Sequence, residues 1–393
     1  MRDRNAVFVI FALCGAALGS WAPRTPAVAQ QVHASAGTLG LALVGGSIGM
    51  LTAASVSGRL IERAGSRAIV AAGALTVCVA LVLVGFAPSV PLLAGALFVM
   101  GAGSGMLDVS MNVAGVAVER RTGRPVMPTL HAGFSFGALA GSAAAGFAAG
   151  HGWSPGRHLT VAAAIVVAVL FVVLKDVPGA KPERAKESAV SPYPAPVRRL
   201  VLWLLAAVAL ASAIAEGACA DWSALLMVNE RGVGQGAAAF AFSAFTLVMA
   251  LARMGGAWMQ RRFGATRALA AGATVAAAGL LCAAMVPSAF FGYFGFGLAG
   301  AGLATAFPLA LSLAGDAGKR ADGTGGAREI GFVTAVAYTG FLAGPPIVGG
   351  IAQATSYGVA FVFVALTAAL IVPAVLAAYR ARRREVTPEP VPR

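Results

Sequence analysis

The chain has 393 residues, of which 59% are hydrophobic and 11% charged, a balance too apolar for a water-soluble globule and a length too great for a single membrane anchor. Its formal net charge of +14 would point to nucleic acid only if the basic residues gathered on one soluble face. They are confined instead to alternate loops between apolar runs, which excludes nucleic acid as a partner and predicts a polytopic membrane protein facing the lipid bilayer.

Spanning a hydrocarbon core roughly 30 Å thick takes about 20 mostly apolar residues, and every backbone amide in that layer needs an internal partner, so helices are expected. Twelve segments qualify: residues 5–27, 37–60, 68–87, 90–118, 129–150, 158–175, 199–227, 236–260, 267–286, 289–314, 328–352 and 357–380. The first lies behind Arg2 and Arg4 and has the outline of a secretory leader, but no soluble domain follows it, so it reads as a membrane helix. Between helices six and seven the hydropathy collapses over 176–198, where Pro178, Pro182, Pro192, Pro194 and Pro196 alternate with charged and small residues. That stretch reads as a linker between an N-terminal half, 1–175, and a C-terminal half, 199–384, with 385–393 as a tail.

One set of loops carries Arg59, Arg63, Arg67, Arg120, Arg121, Arg124, Lys175, Lys181, Arg184, Lys186, Arg198, Arg199, Arg261, Arg262, Arg267, Lys319, Arg320 and Arg328; the other carries Arg24, Arg157 and Arg231. The positive-inside rule places the rich set, and with it both termini, in the cytoplasm of a cell whose inner membrane the chain crosses an even number of times. Cys14, Cys78, Cys219 and Cys282 stand isolated in apolar segments without metal-ligand or redox spacing and read as packing residues. Small residues at four-residue intervals, Gly133, Gly137, Gly141 and Ala145 in helix five and Gly297 and Ala301 in helix ten, predict close helix-helix approach.

The loop after helix two reads Gly58-Arg59-Leu60-Ile61-Glu62-Arg63-Ala64-Gly65-Ser66-Arg67, and a worn copy returns after helix eight around Gly256, Arg261, Arg262, Gly264 and Arg267. Two parallel six-helix halves with a duplicated loop are the pattern of secondary transporters. The decapeptide resembles the loop signature of the major facilitator superfamily in Gly58, Glu62, Arg63, Gly65 and Arg67, with Ser66 replacing a usual basic residue and Glu62 a usual aspartate. More narrowly, Gly103-x-Gly105-x-x-Asp108-x-x-x-Asn112, the stretch Glu119 to Pro125 followed by His131 and Phe134-Ser135, and Glu216-Gly217-x-x-x-Asp221-Trp222-Ser223 resemble its MosC/YbjJ-like branch. The resemblance implies an all-α bundle of twelve transmembrane helices in two pseudo-symmetric halves. It also implies that Glu62 latches helix two to the start of helix eleven, near Arg328, in a state closed on the cytoplasmic side. Gly58, Glu62, Arg63, Gly65 and Arg67 therefore form a candidate conformational gate.

Asp108 lies deep in helix four, where an ionised carboxylate costs about 2.5 to 3.5 kcal/mol on insertion scales and so faces protein or water. Asn112 is one turn on, on the same face with Ser104. Asp108 and Glu216 are the candidate proton-coupling residues, and Asn112, Glu216, Asp221 and Trp222 the candidate substrate contacts. Glu216 and Asp221, five residues apart, need a local break near Gly217 to face one cavity. Arg24 reads as a terminal side chain snorkelling to the interface, and His131 as part of the gate. The Gly344-Pro345-Pro346 stretch in helix eleven reads as a kink in the cavity wall. Helix four carries no arginine to pair with Asp108, which leaves an arginine-carboxylate switch without a candidate.

No phosphate-cradling loop, metal-spaced histidine set or nucleophile elbow is present, so no cofactor, metal or enzymatic chemistry is expected. The reading is a monomeric secondary transporter that moves a small polar, sugar- or polyol-like solute with protons by alternating access. Two alternatives are a proton-driven exporter of amphiphilic compounds and a transport-dead membrane sensor or scaffold.

Overall fold

A computed structural model describes residues 2–124, 126–181, 195–319 and 325–386. Most of the expected linker, with Arg184 and Lys186, lies outside the described residues, as do Pro125, Arg320 and residues 387–393. The N-terminal half comprises α1 (Arg2–Trp21), carried through a 3-10 turn at Ala22–Arg24 into α2 (Thr25–Gln31), then α3 (Ala36–Ala64), α4 (Ser66–Gly85), α5 (Val90–Thr122), α6 (Met127–Gly150) and α7 (Pro155–Val173). The C-terminal half comprises α8 (Leu200–Arg231), α9 (Gln235–Phe263), α10 (Ala265–Met285), α11 (Ala289–Leu303) running into α12 (Ala306–Gly318), α13 (Ala327–Ala354), and α14 (Tyr357–Ala369) running into α15 (Ile371–Val386). Among the described residues these make twelve helical spans long and apolar enough to cross a membrane, and the only β-pairing is an isolated bridge between Lys319 and Gly325. Twelve crossings return the chain to the side on which it began; that side, bearing the basic loops, is called here the terminal face, and the other the far face.

Small residues set the helix pairs. A Cβ added at Gly15, Gly19, Gly137 or Gly141 would overlap the opposing backbone, so α1 and α6 pack as closely as their glycines allow, as the helix-five spacing predicted. In the second half the close approach falls elsewhere than expected. Gly297 meets only the Val248 side chain, at 3.5 Å from an added Cβ, whereas Gly295 and Gly302 of α11 lie against Gly279 and Gly272 of α10. These two glycines are seven residues apart, two helical turns on one face, a longer repeat than the four-residue spacing read from the sequence.

The duplicated loop has the same backbone in both halves. Gly65 has φ +79° and Gly264 φ +81°, conformations that favour glycine, and each turns one span directly into the next. In the first copy Ser66 Oγ donates to Pro178 O at 2.6 Å, Ser66 N to Ala180 O at 2.8 Å, and Arg67 Nε to Val177 O at 2.6 Å. The loop thus clamps the segment leaving the sixth span, and Ser66 makes a hydrogen bond where the signature usually has a charge. A second clamp gathers the C-terminal half at the terminal face: Arg199 lies 2.6 Å from Glu385 and 3.8 Å from Glu329, with Arg382 3.2 Å from Glu385. Glu385, expected in the tail, is therefore part of the last helix and ties it to the starts of α8 and α13.

Contacts between the halves run through α3 with α13, α6 with α9, and the Ala22–Arg24 turn and α2 with α8 and α9. Ser142 and Ser243 share a 2.7 Å hydrogen bond, Gln235 Nε2 donates to Gln30 Oε1 at 3.0 Å, and Ser47 Oγ donates to Phe341 O at 2.6 Å. Gly40 lies against Pro345, so the proline pair sits at this seam, and α13 runs on through it to Ala354. The named hydrogen bonds and the Gly40–Pro345 contact run from the middle of the bundle to its far face. Toward the terminal face, Arg59, Glu62, Arg63, Met254 and Arg328 are exposed, and an added Cβ at Gly58, Gly255 or Gly331 meets nothing within 4 Å. The halves are joined at the far face and parted at the terminal one.

Candidate functional site

Asp108 lies fourteen residues inside the end of α5 at Thr122, about 21 Å along the axis at 1.5 Å per residue. It is half-buried. Asn112 Nδ2, one turn on, donates to Asp108 O at 2.8 Å and to its Oδ1 at 3.2 Å, so the amide holds the carboxylate in one rotamer. The carboxylate is also within electrostatic reach of Cys14 on α1 and, across the space between the halves, of the Tyr338 phenol on α13.

Glu216 faces that space from the other half. Ser212 Oγ, one turn earlier on α8, donates to its Oε1 at 3.0 Å, and Arg253 of α9 stands 3.8 Å from its Oε2. Arg253, like Tyr338, is a residue the sequence reading missed. It lies ten residues before the end of α9 at Phe263, inside the membrane-length span, where a guanidinium needs partners. Its second partner has a local cause. Pro308 has no N–H to offer the carbonyl four residues back, so the tenth span breaks between α11 and α12 and Ala304 O accepts from Arg253 Nε at 3.2 Å. Arg253 is also within electrostatic reach of His131 on α6, which is exposed and packs edge-on against Phe11 with 5.1 Å between ring centroids.

The structure therefore brings Asp108, Asn112, Glu216 and His131 to the space between the halves, with Arg253 and Tyr338 added. No hydrogen bond or ion pair joins the two carboxylates directly among the described residues: each has its own partner, Asn112 for Asp108 and Ser212 with Arg253 for Glu216. The local break expected near Gly217 is not there, because α8 is continuous from Leu200 to Arg231 and Gly217 faces the Phe341 ring. Asp221 is half-buried further toward the far face and makes no hydrogen bond or ion pair among the described residues. Trp222 is fully buried at the seam, close against Gly349 and 6.2 Å from the Tyr357 ring, with its indole N–H unpartnered. In this conformation it walls the closed far side. Glu62, Arg63 and Arg328 are exposed and form no ion pair with one another among the described residues, so the contact expected between the second span and α13 is not made. Arg24 does not snorkel: it is 1% exposed, held by a hydrogen bond to Trp153 O in the loop between α6 and α7.

A family model described as Major Facilitator Superfamily matches residues 7–326 and 221–393. The chain belongs to the major facilitator superfamily. Its relatives include the membrane protein MosC of Rhizobium meliloti, 29% identical over 389 residues, covering 98% of this chain and 92% of that one. An uncharacterized transporter of Sinorhizobium fredii is 32% identical over 366 residues, covering 92% and 94%. An uncharacterized MFS-type transporter of Yersinia pestis is 28% identical over 359 residues, covering 91% and 90%. Among solved structures, a point mutant of the nucleoside transporter NupG superposes with a TM-score of 0.77 at 12% identity, covering 96% of this chain and 99% of that one. A bacterial homolog of the human lysosomal transporter Spinster, in an inward-facing and occupied conformation, gives 0.74 at 13% identity over 97% and 96%. At such identities the structural likeness establishes the fold, and with the family it makes this superfamily member a multi-pass membrane transporter rather than an enzyme.

Proposed function

We propose that this superfamily member moves a small polar solute across the inner membrane by proton-coupled alternating access, with Asp108 and Glu216 as proton sites and Asn112, Tyr338 and Arg253 as the polar lining. The observation that carries this reading is the convergence of ionisable side chains from both halves, Asp108 and His131 from one and Glu216 and Arg253 from the other, on a space that opens at the terminal face. With the termini in the cytoplasm, as the basic loops indicate, the conformation is open inward. Rocking of residues 1–175 against 199–384 would then close the terminal face through Glu62 and Arg328 and part the seam that holds Asp221 and Trp222, adding those two to the lining of the outward-open state. Hydroxyl-rich solutes of sugar or polyol type suit a lining of amide, phenol and carboxylate groups.

A thermal-shift screen of the purified protein against sugars, polyols, amino acids and cationic dyes tests the substrate class, since binding to the folded state raises the melting temperature by mass action. Hits among the hydroxyl-rich neutral compounds support the reading; hits confined to amphiphilic dyes overturn it. The rocking motion has its own test. Paired cysteines at Ser142 and Ser243, whose hydroxyls are 2.7 Å apart, are expected to cross-link under mild oxidation and to stop transport until reduced. Cross-linking that leaves transport intact contradicts the motion. A smaller effect follows from the unmade contact: Glu62→Ala is expected to change the melting temperature little, since an exposed charge of this kind is worth about 0 to 1 kcal/mol, while shifting labelling of engineered cysteines toward the inward-open pattern.

A further inference from the structure

At the far end of the N-terminal half two buried basic side chains keep ring or guanidinium nitrogens without a partner among the described residues. Arg24 donates from one terminal nitrogen to Trp153 O at 2.5 Å, while its Nε and remaining terminal nitrogen have no partner among the described residues. His158, in the first turn of α7 and 4% exposed, lies within electrostatic reach of that guanidinium, and neither of its ring nitrogens is partnered. Arg157 stacks over the Trp153 ring at 4.1 Å from its centroid, adding a second permanent cation beside the first. Two of the three arginines that the sequence assigns to this side of the membrane therefore meet on one tryptophan.

Among the described residues no carboxylate pairs with Arg24. The turn that holds Arg24 packs against α8, α9 and α6. Asp221 of α8 forms no ion pair with Arg24 among the described residues, and Glu230 is committed to Arg231 at 3.7 Å and to Gly358 N at 2.9 Å. A histidine can escape burial by staying neutral, but a guanidinium cannot shed its proton, and an uncompensated buried charge is among the most destabilising features a fold can carry. Water would satisfy the free N–H groups and leave the charge unbalanced.

We propose that Arg24 and His158 bind a small monovalent inorganic anion of chloride size. One negative charge balances the one buried guanidinium, and the free edge of Arg24 together with a protonated His158 nitrogen supplies its donors. A dianion would leave an excess negative charge against the one buried guanidinium. Because the same turn packs on α8 and α9 of the other half, the anion is enclosed only while the far face is closed, and its binding favours that state.

The test uses the full-length protein in detergent, its melting temperature titrated with sodium chloride or bromide against sodium gluconate at constant ionic strength. The expected result is a saturable rise with chloride and bromide that gluconate does not give. That anion dependence is lost in Arg24→Met and kept in Arg157→Met. Anomalous scattering from bromide in crystals of the unmodified protein locates the ion independently and decides the matter if Arg24→Met does not fold. A peak between Arg24 and His158 supports the proposal. A melting temperature indifferent to the anion, or bromide found elsewhere with none beside Arg24, overturns it.

Discussion

Asp108→Asn is expected to abolish solute accumulation driven by a proton gradient in reconstituted vesicles while leaving solute exchange at equal concentrations. One proton moving down a potential of 100 mV supplies about 2.3 kcal/mol, which at about 1.4 kcal/mol per tenfold supports an accumulation of about 50-fold. An asparagine keeps the shape and can still accept the hydrogen bond that Asn112 Nδ2 makes to Oδ1, 3.2 Å long in the native protein, but it carries no proton through the cycle. The ratio of internal to external solute should therefore fall from that ceiling to one. Exchange should persist, because the rocking of the halves needs no net proton movement when solute is bound on both sides. Accumulation undiminished in the variant removes Asp108 from the coupling step and leaves Glu216 to carry it.

Arg253→Met is expected to weaken coupling by about 5- to 150-fold, the range of a free energy shared between two linked sites, with little loss of stability. The distance to Glu216 is 3.8 Å and both side chains are partly exposed, at 34% and 23%, so as a structural ion pair it is worth about 0 to 1 kcal/mol. Its weight lies in position: one guanidinium faces Glu216, Ala304 O and, across the halves, His131. Removing it leaves the Glu216 carboxylate without a cation, so that protonation of Glu216 no longer depends on what else Arg253 touches. Measuring proton-driven uptake and the melting temperature together separates this from a packing role. Arg253→Lys should keep part of the coupling, and Glu216→Gln combined with Arg253→Met should be no worse than either change alone. A melting temperature lowered by many degrees, with exchange lost too, would instead make Arg253 a clamp on the broken tenth span.

Much of the architecture is legible in the sequence because its causes are local. An apolar run of membrane length must be helical, a positive-φ glycine between two such runs turns the chain, and the copy of the Gly65 loop at Gly264 announces the duplication. Asp108 with Asn112 is legible for the same reason, being one turn of one helix. Glu216 with Arg253 was not, since the pair depends on how α8 lies against α9, and Arg253 hides in an apolar stretch close to the basic pair Arg261 and Arg262. Two signals could have found it: a charge ten residues inside a span, and Pro308 in the tenth span, which had to leave the Ala304 carbonyl for some donor. The break proposed at Gly217 failed because a glycine permits a distortion without requiring one, whereas Pro308 requires it. The conformation was beyond the sequence altogether, since one set of residues must serve both the inward-open and outward-open arrangements. Trp222 shows the consequence: its neighbours in the chain resemble a binding segment, yet in this arrangement it is sealed behind Gly349.

The most direct measurement is side-resolved labelling of single cysteines at Asn112 and Tyr338, one from each half, with a membrane-impermeant maleimide after the four native cysteines, Cys14, Cys78, Cys219 and Cys282, have been replaced. If both positions border one aqueous space open at the terminal face, both react from that side, and both become protected when a second cysteine pair holds the halves together there. Labelling of neither position from either side of the membrane would mean that the charges lie in separate dry contacts, and no shared chamber would remain for a solute to cross.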